Sequence, residues 1–194
     1  MCLCSWLWAQ QGVGILFQGR FNRATQTGEP VPGGWFSDAA IGLCYKSYWW
    51  GAGWEGSLLW VYKGAPGEIR LPFINQDFRQ GQITAYKAVE AGFRFGPRWS
   101  IFYPRTGVVV GYRYQQRGLS LAPAHRPTNR WYAFLPLGMA LELPTGFGTV
   151  GLSAYYEIGF TNLLQRPQGS TGLYEGAKLR RFLIEIHSLW GKTR

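Results

Sequence analysis

The chain has 194 residues, which suits one domain, and only 15% of them are charged, against roughly 25% in soluble domains. Aromatic residues make up 17% and glycines number 27, and no apolar run is long enough for a membrane-spanning helix, which excludes a helical membrane protein. This composition favours a β-barrel whose apolar residues are spread one in two, although a soluble all-β domain shares it. The net charge of +10 indicates an anionic partner, either nucleic acid or an anionic lipid surface.

The first nine residues, MCLCSWLWA, resemble the end of a secretory signal peptide. Ala9 supplies the small residue before the cleavage point, but the basic segment that opens a signal peptide is absent. The alternative is a loosely packed N-terminus. We therefore predict a signal-peptide remnant over 1–9 and a single barrel domain over 10–194. Cys44 is then the one remaining cysteine, so no disulfide framework is implied.

Eight segments alternate between apolar and small or polar residues with a period of two, which predicts eight β-strands. The predicted strands cover 12–21, 38–50, 54–63, 82–95, a fifth segment ending at 114, 130–143, 149–161 and 178–190. The seventh is the longest strict alternation, with Val150, Leu152 and Tyr156 on one face and Glu157 between glycines on the other. Such a strand exceeds the common length of about 5–6 residues and suits a tilted membrane strand of about 9–11.

The connections alternate between long and short. Long Gly- and Pro-rich segments at 22–37, 64–81, 115–129 and 162–177 predict loops, and 51–53, 96–98 and 144–148 predict tight turns. An even number of antiparallel strands with this alternation is typical of bacterial outer-membrane barrels, with short periplasmic turns and long extracellular loops. A soluble lipocalin-like barrel that binds a hydrophobic ligand also has eight strands, but its outer surface is wet. Here one face of each strand is almost purely apolar.

Two residues depart from this pattern. Lys87 falls on the outward face of the fourth strand, where it would snorkel to a headgroup region unless the register slips. Pro136 falls inside the sixth strand, where a closed barrel needs every backbone donor, and a bulge would reconcile it.

Charged residues assigned to the inward face balance each other. The predicted lumen network consists of Arg20, Lys46, Glu55, Glu90, Arg94, Arg105, Arg113, Glu142, Glu157 and Glu185. Because eight strands enclose only enough room for side chains, and because buried charges must be paired, these residues predict an internal plug of ion pairs. A narrow proton or solute path along the same charges is the alternative.

With a neutral lumen, the positive excess must lie elsewhere. The predicted basic rim at the long loops comprises Arg23, Arg70, Arg79, Arg117, Arg126, Arg166 and Arg180. Arginine forks suit lipopolysaccharide phosphates, so the expected partners are the lipid bilayer and lipopolysaccharide, and the alternative is a solvated loop surface. Tryptophans near strand ends predict an aromatic girdle at the membrane interfaces: Trp35, Trp49, Trp50, Trp54, Trp60, Trp99, Trp131 and Trp190. The absence of a Lys/Arg run or nucleic-acid motif argues against nucleic acid.

The catalytic signal is weak. The histidines are His125, in a loop, and His187, whose neighbour Ser188 points to the opposite face of a strand and cannot form a dyad with it. We therefore predict a non-enzymatic protein. The alternative is an outer-membrane enzyme that modifies lipid. Because no metal-ligand cluster or phosphate-binding loop is present, we predict no cofactor.

Three segments resemble the small porin-like outer-membrane β-barrel proteins of Bacteroidota: LLWVYKG, FLPLGMALELPTG and GLSAYYEIGFTNLL. The resemblance covers nearly all of 10–190 and implies an eight-stranded barrel in the bacterial outer membrane. It implies no catalytic residues and no uniform role. Trp190 is followed by Gly-Lys-Thr-Arg, whereas such barrels end in an aromatic residue. The expected function is envelope integrity or surface binding through the basic loops.

Overall fold

A computed structural model describes residues 11–26, 29–49, 51–63, 85–99, 101–117, 129–145, 148–162 and 178–191. Its strands are β1 (Gln11–Gln26), β2 (Glu29–Trp49), β3 (Ala52–Lys63), β4 (Ala85–Pro97), β5 (Phe102–Arg117), β6 (Trp131–Thr145), β7 (Gly148–Asn162) and β8 (Lys178–Trp190). Each pairs antiparallel with its neighbours in sequence, and β1 pairs with β8 to close the sheet. The predicted eight-stranded up-and-down barrel is confirmed. No helix among the described residues is long and apolar enough to cross a membrane.

The period of two sorts side chains between the lumen and the outside. In β8, Leu183, Glu185 and His187 are buried, while Ile184 and Ile186 are exposed. The same alternation recurs in the other strands because neighbouring residues of a strand point to opposite faces. The outer surface is therefore apolar and the lumen holds the charges.

The three predicted short turns lie at one end of the barrel, which we call the turn end; the opposite end is the loop end. Trp49 pairs with Ala52 around Gly51, whose φ of 76° favours glycine. The predicted turn at 96–98 is displaced, because Pro97 still pairs with Ala52 and the chain reverses between Trp99 and Phe102.

The first predicted long loop, 22–37, is wrong, because most of this segment forms paired strands. Strands β1 and β2 continue as a paired hairpin up to Gln26 and Glu29. Between the Arg23–Trp35 pair and the Thr25–Pro30 pair, β1 advances two residues and β2 advances five. A bulge in β2 thus absorbs the prolines and glycines that predict a loop from sequence, since bulges accept residues that a regular ladder cannot.

The two departures from the strand pattern have separate explanations. Lys87 is exposed on the outer face at a register shift between β4 and β5, next to the loop end. The bulge predicted at Pro136 is wrong, because β6 keeps one register with β5 on both sides of it. Instead the β5–β6 ladder lapses at Gly107 and Val108, opposite Pro136 and Leu135, as expected where proline supplies no N–H donor.

The predicted signal-peptide remnant at 1–9 lies outside the described residues, as do Trp50, His125 and most of the predicted loops 64–81, 115–129 and 162–177.

Candidate functional site: the charged lumen and the basic loop end

Buried charges fill the lumen in equal numbers of both signs. All ten residues of the predicted network are buried. Among the described residues the buried cations are Arg20, Lys46, Arg94, Arg105, Arg113 and Arg181, and the buried carboxylates are Asp38, Glu55, Glu90, Glu142, Glu157 and Glu185. The described buried charges therefore number six of each sign, and they include Arg181 and Asp38 in addition to the ten predicted residues.

The cluster nearest the turn end joins two cations to two carboxylates. Lys46 Nζ lies 2.9 Å from both Glu55 and Glu142, and Arg105 lies 2.6 Å and 2.9 Å from the same two carboxylates. His187 Nε2 lies 2.9 Å from Lys46 Nζ and 3.2 Å from Glu142. Each charge in this cluster has at least two neighbours of opposite sign, which offsets the cost of burial.

Aromatic rings lie between this cluster and the turn end of the barrel. Tyr48 donates its hydroxyl proton to Glu142 and packs its ring against Tyr103, with centroids 5.3 Å apart. The guanidinium of Arg98 lies over both rings, 4.9 Å and 5.3 Å from their centroids. The side chains of Tyr48, Tyr103 and Arg98 therefore pack together at the turn end of the lumen.

Arg94 is the centre of the network. Its Nη1 lies 2.9 Å from Glu55 and 2.8 Å from Glu185, its Nη2 lies 3.7 Å from Glu157, and its guanidinium sits 4.3 Å from the centre of the Tyr155 ring. Glu55 also belongs to the cluster at the turn end. Arg94 thus connects the part of the lumen nearer the turn end with the part nearer the loop end.

Glu90 is the carboxylate shared by several side chains in the part of the lumen nearer the loop end. Arg20 and Arg181 each approach it to 2.7 Å, and Tyr132 donates a hydrogen bond of 2.7 Å to it. Arg181 also pairs with Glu157, which links this group back to Arg94.

Asp38 and Arg113 complete the network towards the loop end. Asp38 accepts hydrogen bonds from Asn22, at 2.8 Å, and from the Tyr86 hydroxyl. Arg113 lies 4.6 Å from the centre of the Tyr132 ring and 5.5 Å from that of Tyr86. Its Nη1 donates to the carbonyl oxygen of residue 129 at 2.9 Å. Cation–π contacts therefore hold this cation in place.

Interior glycines make room for the large side chains. A Cβ atom at Gly111 would lie 2.2 Å from the Tyr132 ring, and one at Gly151 would lie 2.1 Å from His187. A larger residue does not fit at either position, because a side chain of the neighbouring strand already occupies the space beside the glycine. The lumen is accordingly packed with side chains, as expected for eight strands.

Arg181 and Asp38 belong to the network but are missing from the predicted list. Alternation places Arg181 on the inward face, two residues before Leu183, so the signal was present in the sequence. Asp38 stood at the predicted start of a strand, where the facing of a side chain is hardest to assign. Its partner Asn22 fell inside the predicted loop.

The positive excess lies entirely outside this network. The described lumen network contains six of the 20 Lys and Arg residues and six of the 10 Asp and Glu residues, so fourteen cations and four carboxylates of the sequence are not members of it. Of the predicted basic rim, Arg23 and Arg180 are half-buried on the outer face at the loop end, and Arg117 ends β5. Arg70, Arg79, Arg126 and Arg166 lie outside the described residues.

An apolar belt with aromatic margins surrounds the barrel. Side chains such as Phe17, Ile186 and Leu152 are about half exposed, at 53%, 56% and 50%. Exposed aromatics lie near the turn end (Trp54, Trp99, Phe102, Trp190) and near the loop end (Tyr62, Tyr114, Trp131, Phe160). Trp60 is exposed next to Tyr62, whereas the side chains of Trp35, Trp49 and Trp50 are outside the description. A soluble monomer rarely exposes a continuous apolar surface of this size.

The described residues offer little for catalysis. His187 is buried, and its hydrogen-bond and ion-pair contacts are with Lys46, Glu142 and Glu185. The side chain of Ser188 lies on the opposite, outer face of β8. In the part of the chain that the structure describes, no three His, Cys, Asp or Glu side chains are placed to hold a metal ion.

No protein-family model matches the chain, and no curated protein matches its sequence. Solved structures of Ail, the attachment invasion locus protein of Yersinia pestis, are similar to it. The one in complex with the heparin analogue sucrose octasulfate has 12% identity and a TM-score of 0.44, covering 93% of this chain and 97% of that chain. Neisserial surface protein A (NspA) has 9% identity and a TM-score of 0.41, covering 90% of this chain and 95% of that chain. Likenesses of this size carry no conclusion about the present chain, whose fold follows from its own strand pairing.

Proposed function

We propose that this chain is an integral protein of the bacterial outer membrane, a non-enzymatic barrel that acts in envelope integrity or surface binding through its basic loop end. The observation that carries the proposal is the inversion of polarity. The outer surface is apolar and the lumen is charged, which is the reverse of a soluble lipocalin-like barrel.

The strands suit a bilayer in length and closure. Each has at least 12 residues, and the shortest is β3 (Ala52–Lys63). A tilted strand needs about 9–11 residues to span the hydrocarbon core. Pairing between β1 and β8 closes the sheet, so neither strand is left with an unpaired edge of backbone N–H and C=O groups. A strand in the hydrocarbon core needs such pairing because lipid tails offer no hydrogen-bond partners. The resemblance to small Bacteroidota barrels, carried by three sequence segments, supports the same location.

The filled lumen supports a role at the surface rather than transport. Ion pairs and aromatic rings occupy it from Tyr48 and Arg98 at the turn end to Arg113 near the loop end. Moving an ion through it would require breaking contacts such as Arg94–Glu185, whose members are fully buried. Function is therefore assigned to the loop end, where the cations outside the network are concentrated.

Cell fractionation and gel migration test the location. The chain, expressed with a signal peptide in a Gram-negative host, should be recovered with outer membranes. It should also migrate faster on SDS gels before boiling than after, because a closed barrel resists detergent. Recovery in the soluble periplasmic fraction would contradict the proposal.

A planar-bilayer recording tests the filled lumen. The purified barrel should insert without producing the regular current steps of a water-filled channel. Steps of uniform size that scale with salt concentration would show that the lumen conducts and would favour the transport alternative.

A further inference from the structure

Several buried polar atoms at the centre of the lumen have no hydrogen-bond partner. Within the part of the chain that the structure describes, they are Arg94 Nε, Ser153 Oγ, Tyr155 Oη, Glu157 Oε1, Glu185 Oε1 and His187 Nδ1. Each of these residues is at most 1% exposed. A buried donor or acceptor without a partner costs free energy, and ordered water supplies the partner where side chains do not.

The two central carboxylates are each held at one oxygen only. Glu185 Oε2 accepts hydrogen bonds of 2.8 Å from Gln18 and from Arg94. Glu157 Oε2 accepts a hydrogen bond from Arg181. The Oε1 atom of each carboxylate accepts none within the described part of the chain. Because both oxygens of an ionised carboxyl group are strong acceptors, each residue keeps unused acceptor capacity.

Two separations in this region suit a bridging water molecule. Glu157 Oε1 lies 3.7 Å from Arg94 Nη2, and Glu185 Oε1 lies 3.6 Å from His187 Nδ1. Both exceed the roughly 2.7–3.2 Å of a direct N–H···O hydrogen bond. Polar contacts beyond about 3.5 Å are commonly mediated by water. One water beside each gap would accept from the nitrogen and donate to the carboxylate oxygen.

The tautomer of His187 gives the second gap a direction. Lys46 Nζ lies 2.9 Å from His187 Nε2, and Glu142, 3.2 Å from the same nitrogen, is bound to that ammonium group as well. An ammonium group donates and cannot accept, so Nε2 is the acceptor and the proton of the neutral ring resides on Nδ1. The Nδ1–H group then requires an acceptor, and Glu185 is too distant to serve directly.

Two hydroxyl groups of β7 lie in the same region. Ser153 stands directly opposite Glu185 in the register with β8. The ring of Tyr155 lies 4.3 Å from the guanidinium of Arg94. A buried water typically makes about three hydrogen bonds, so a bridging water needs more partners than the two atoms it joins. These hydroxyl groups provide such partners.

We infer that the centre of the lumen binds water at two positions. One water bridges Arg94 to Glu157, the other bridges Glu185 to His187, and the hydroxyl groups of β7 are further partners. The inference goes beyond the proposed function, because it concerns only the inside of the barrel. It agrees with a lumen that does not conduct ions, since waters held singly among ion pairs form no continuous channel.

Hydroxyl-radical labelling in ¹⁸O-enriched water tests the inference on the folded, full-length barrel. An X-ray pulse splits a bound water, and mass spectrometry locates the ¹⁸O that is added to the nearest reactive side chain. Tyr155 should be labelled several times faster than Tyr132, although Tyr155 is the more buried ring, at 1% against 5%. Tyr132 is the matched control because its hydroxyl donates directly to Glu90. Equal or slower labelling of Tyr155 would overturn the inference.

Removing each hydroxyl group gives a second test, by urea unfolding in lipid vesicles. In a hydrated lumen Tyr155→Phe loses a hydrogen bond to water and should raise the equilibrium constant of unfolding about fivefold. In a dry lumen it would remove an unsatisfied hydroxyl, and an unchanged or lower constant would overturn the inference. Tyr132→Phe should raise the constant in either case, which shows that the assay responds. A raised constant in Tyr155→Phe without labelling of Tyr155 would indicate a direct protein partner and would also contradict the inference.

Nitrogen NMR of the barrel with ¹⁵N-labelled histidine tests the position at His187, whose signal is identified by its loss in His187→Gln. The neutral ring should carry its proton on Nδ1. A proton on Nε2 would overturn the water bridge to Glu185. None of these results bears on the membrane location, which cell fractionation tests separately.

Discussion

Replacing Arg94 with methionine tests the lumen network at its centre. The substitution keeps a long flexible side chain but removes the cation shared by Glu55, Glu185 and Glu157. The contact with the Tyr155 ring loses its cationic partner as well. Three buried carboxylates would then share fewer positive neighbours in the lumen.

The expected loss of stability is large. Removing one partner of a buried ion pair typically costs about 3–5 kcal/mol, because the remaining charge is left uncompensated. R94M should therefore lower the free energy of unfolding by about that amount. Urea unfolding of the barrel in lipid vesicles, followed by tryptophan fluorescence and heat-modifiable migration, measures it, and K87M on the outer face should change little.

A second substitution separates charge from packing. Glu185→Gln removes one carboxylate from the same site, so R94M/E185Q restores the balance of charges. The double variant should be more stable than the sum of the two single losses by about 1–3 kcal/mol. A loss below about 1 kcal/mol in R94M, or strict additivity in the double variant, would refute the view that ion pairing organises the lumen.

Three further outcomes are expected. Gly111→Ala should destabilise the barrel by about 1–3 kcal/mol, because its Cβ would meet the Tyr132 ring, whereas Gly19→Ala meets no atom within 4 Å and should be close to neutral in urea unfolding. His187→Gln should leave the host's lipid A profile unchanged by mass spectrometry, and loss of a modified lipid species would restore the enzyme alternative. Brominated lipids should quench the fluorescence of Trp60, kept as the only tryptophan, and an unquenched signal would place it outside the bilayer.

Strand number, order and facing could be predicted because they follow from local patterns. Alternation along each strand assigns Glu157 inward and Tyr156 outward without knowledge of any neighbour. The alternation of long and short connections then orders the strands around the barrel. The same local rule places Arg181 inward, so its omission from the predicted network was avoidable.

Ion-pair partners could not be predicted, because they depend on the register between distant strands. Arg94 meets Glu185 across a separation of 91 residues. Arg20 and Glu90 meet across 70. The paired hairpin beyond Arg23 was missed for a related reason, since a bulge that tolerates proline and glycine is defined by its partner strand.

The central claim, a barrel with an apolar exterior and a charged interior, is tested most directly by detergent removal. The purified, folded chain should stay monodisperse in detergent micelles or lipid vesicles. Once detergent is removed without added lipid it should aggregate, because the belt that includes Phe17, Leu152 and Ile186 would face water. A monomer that remains folded and soluble in plain buffer, as judged by sedimentation and circular dichroism, would contradict the account.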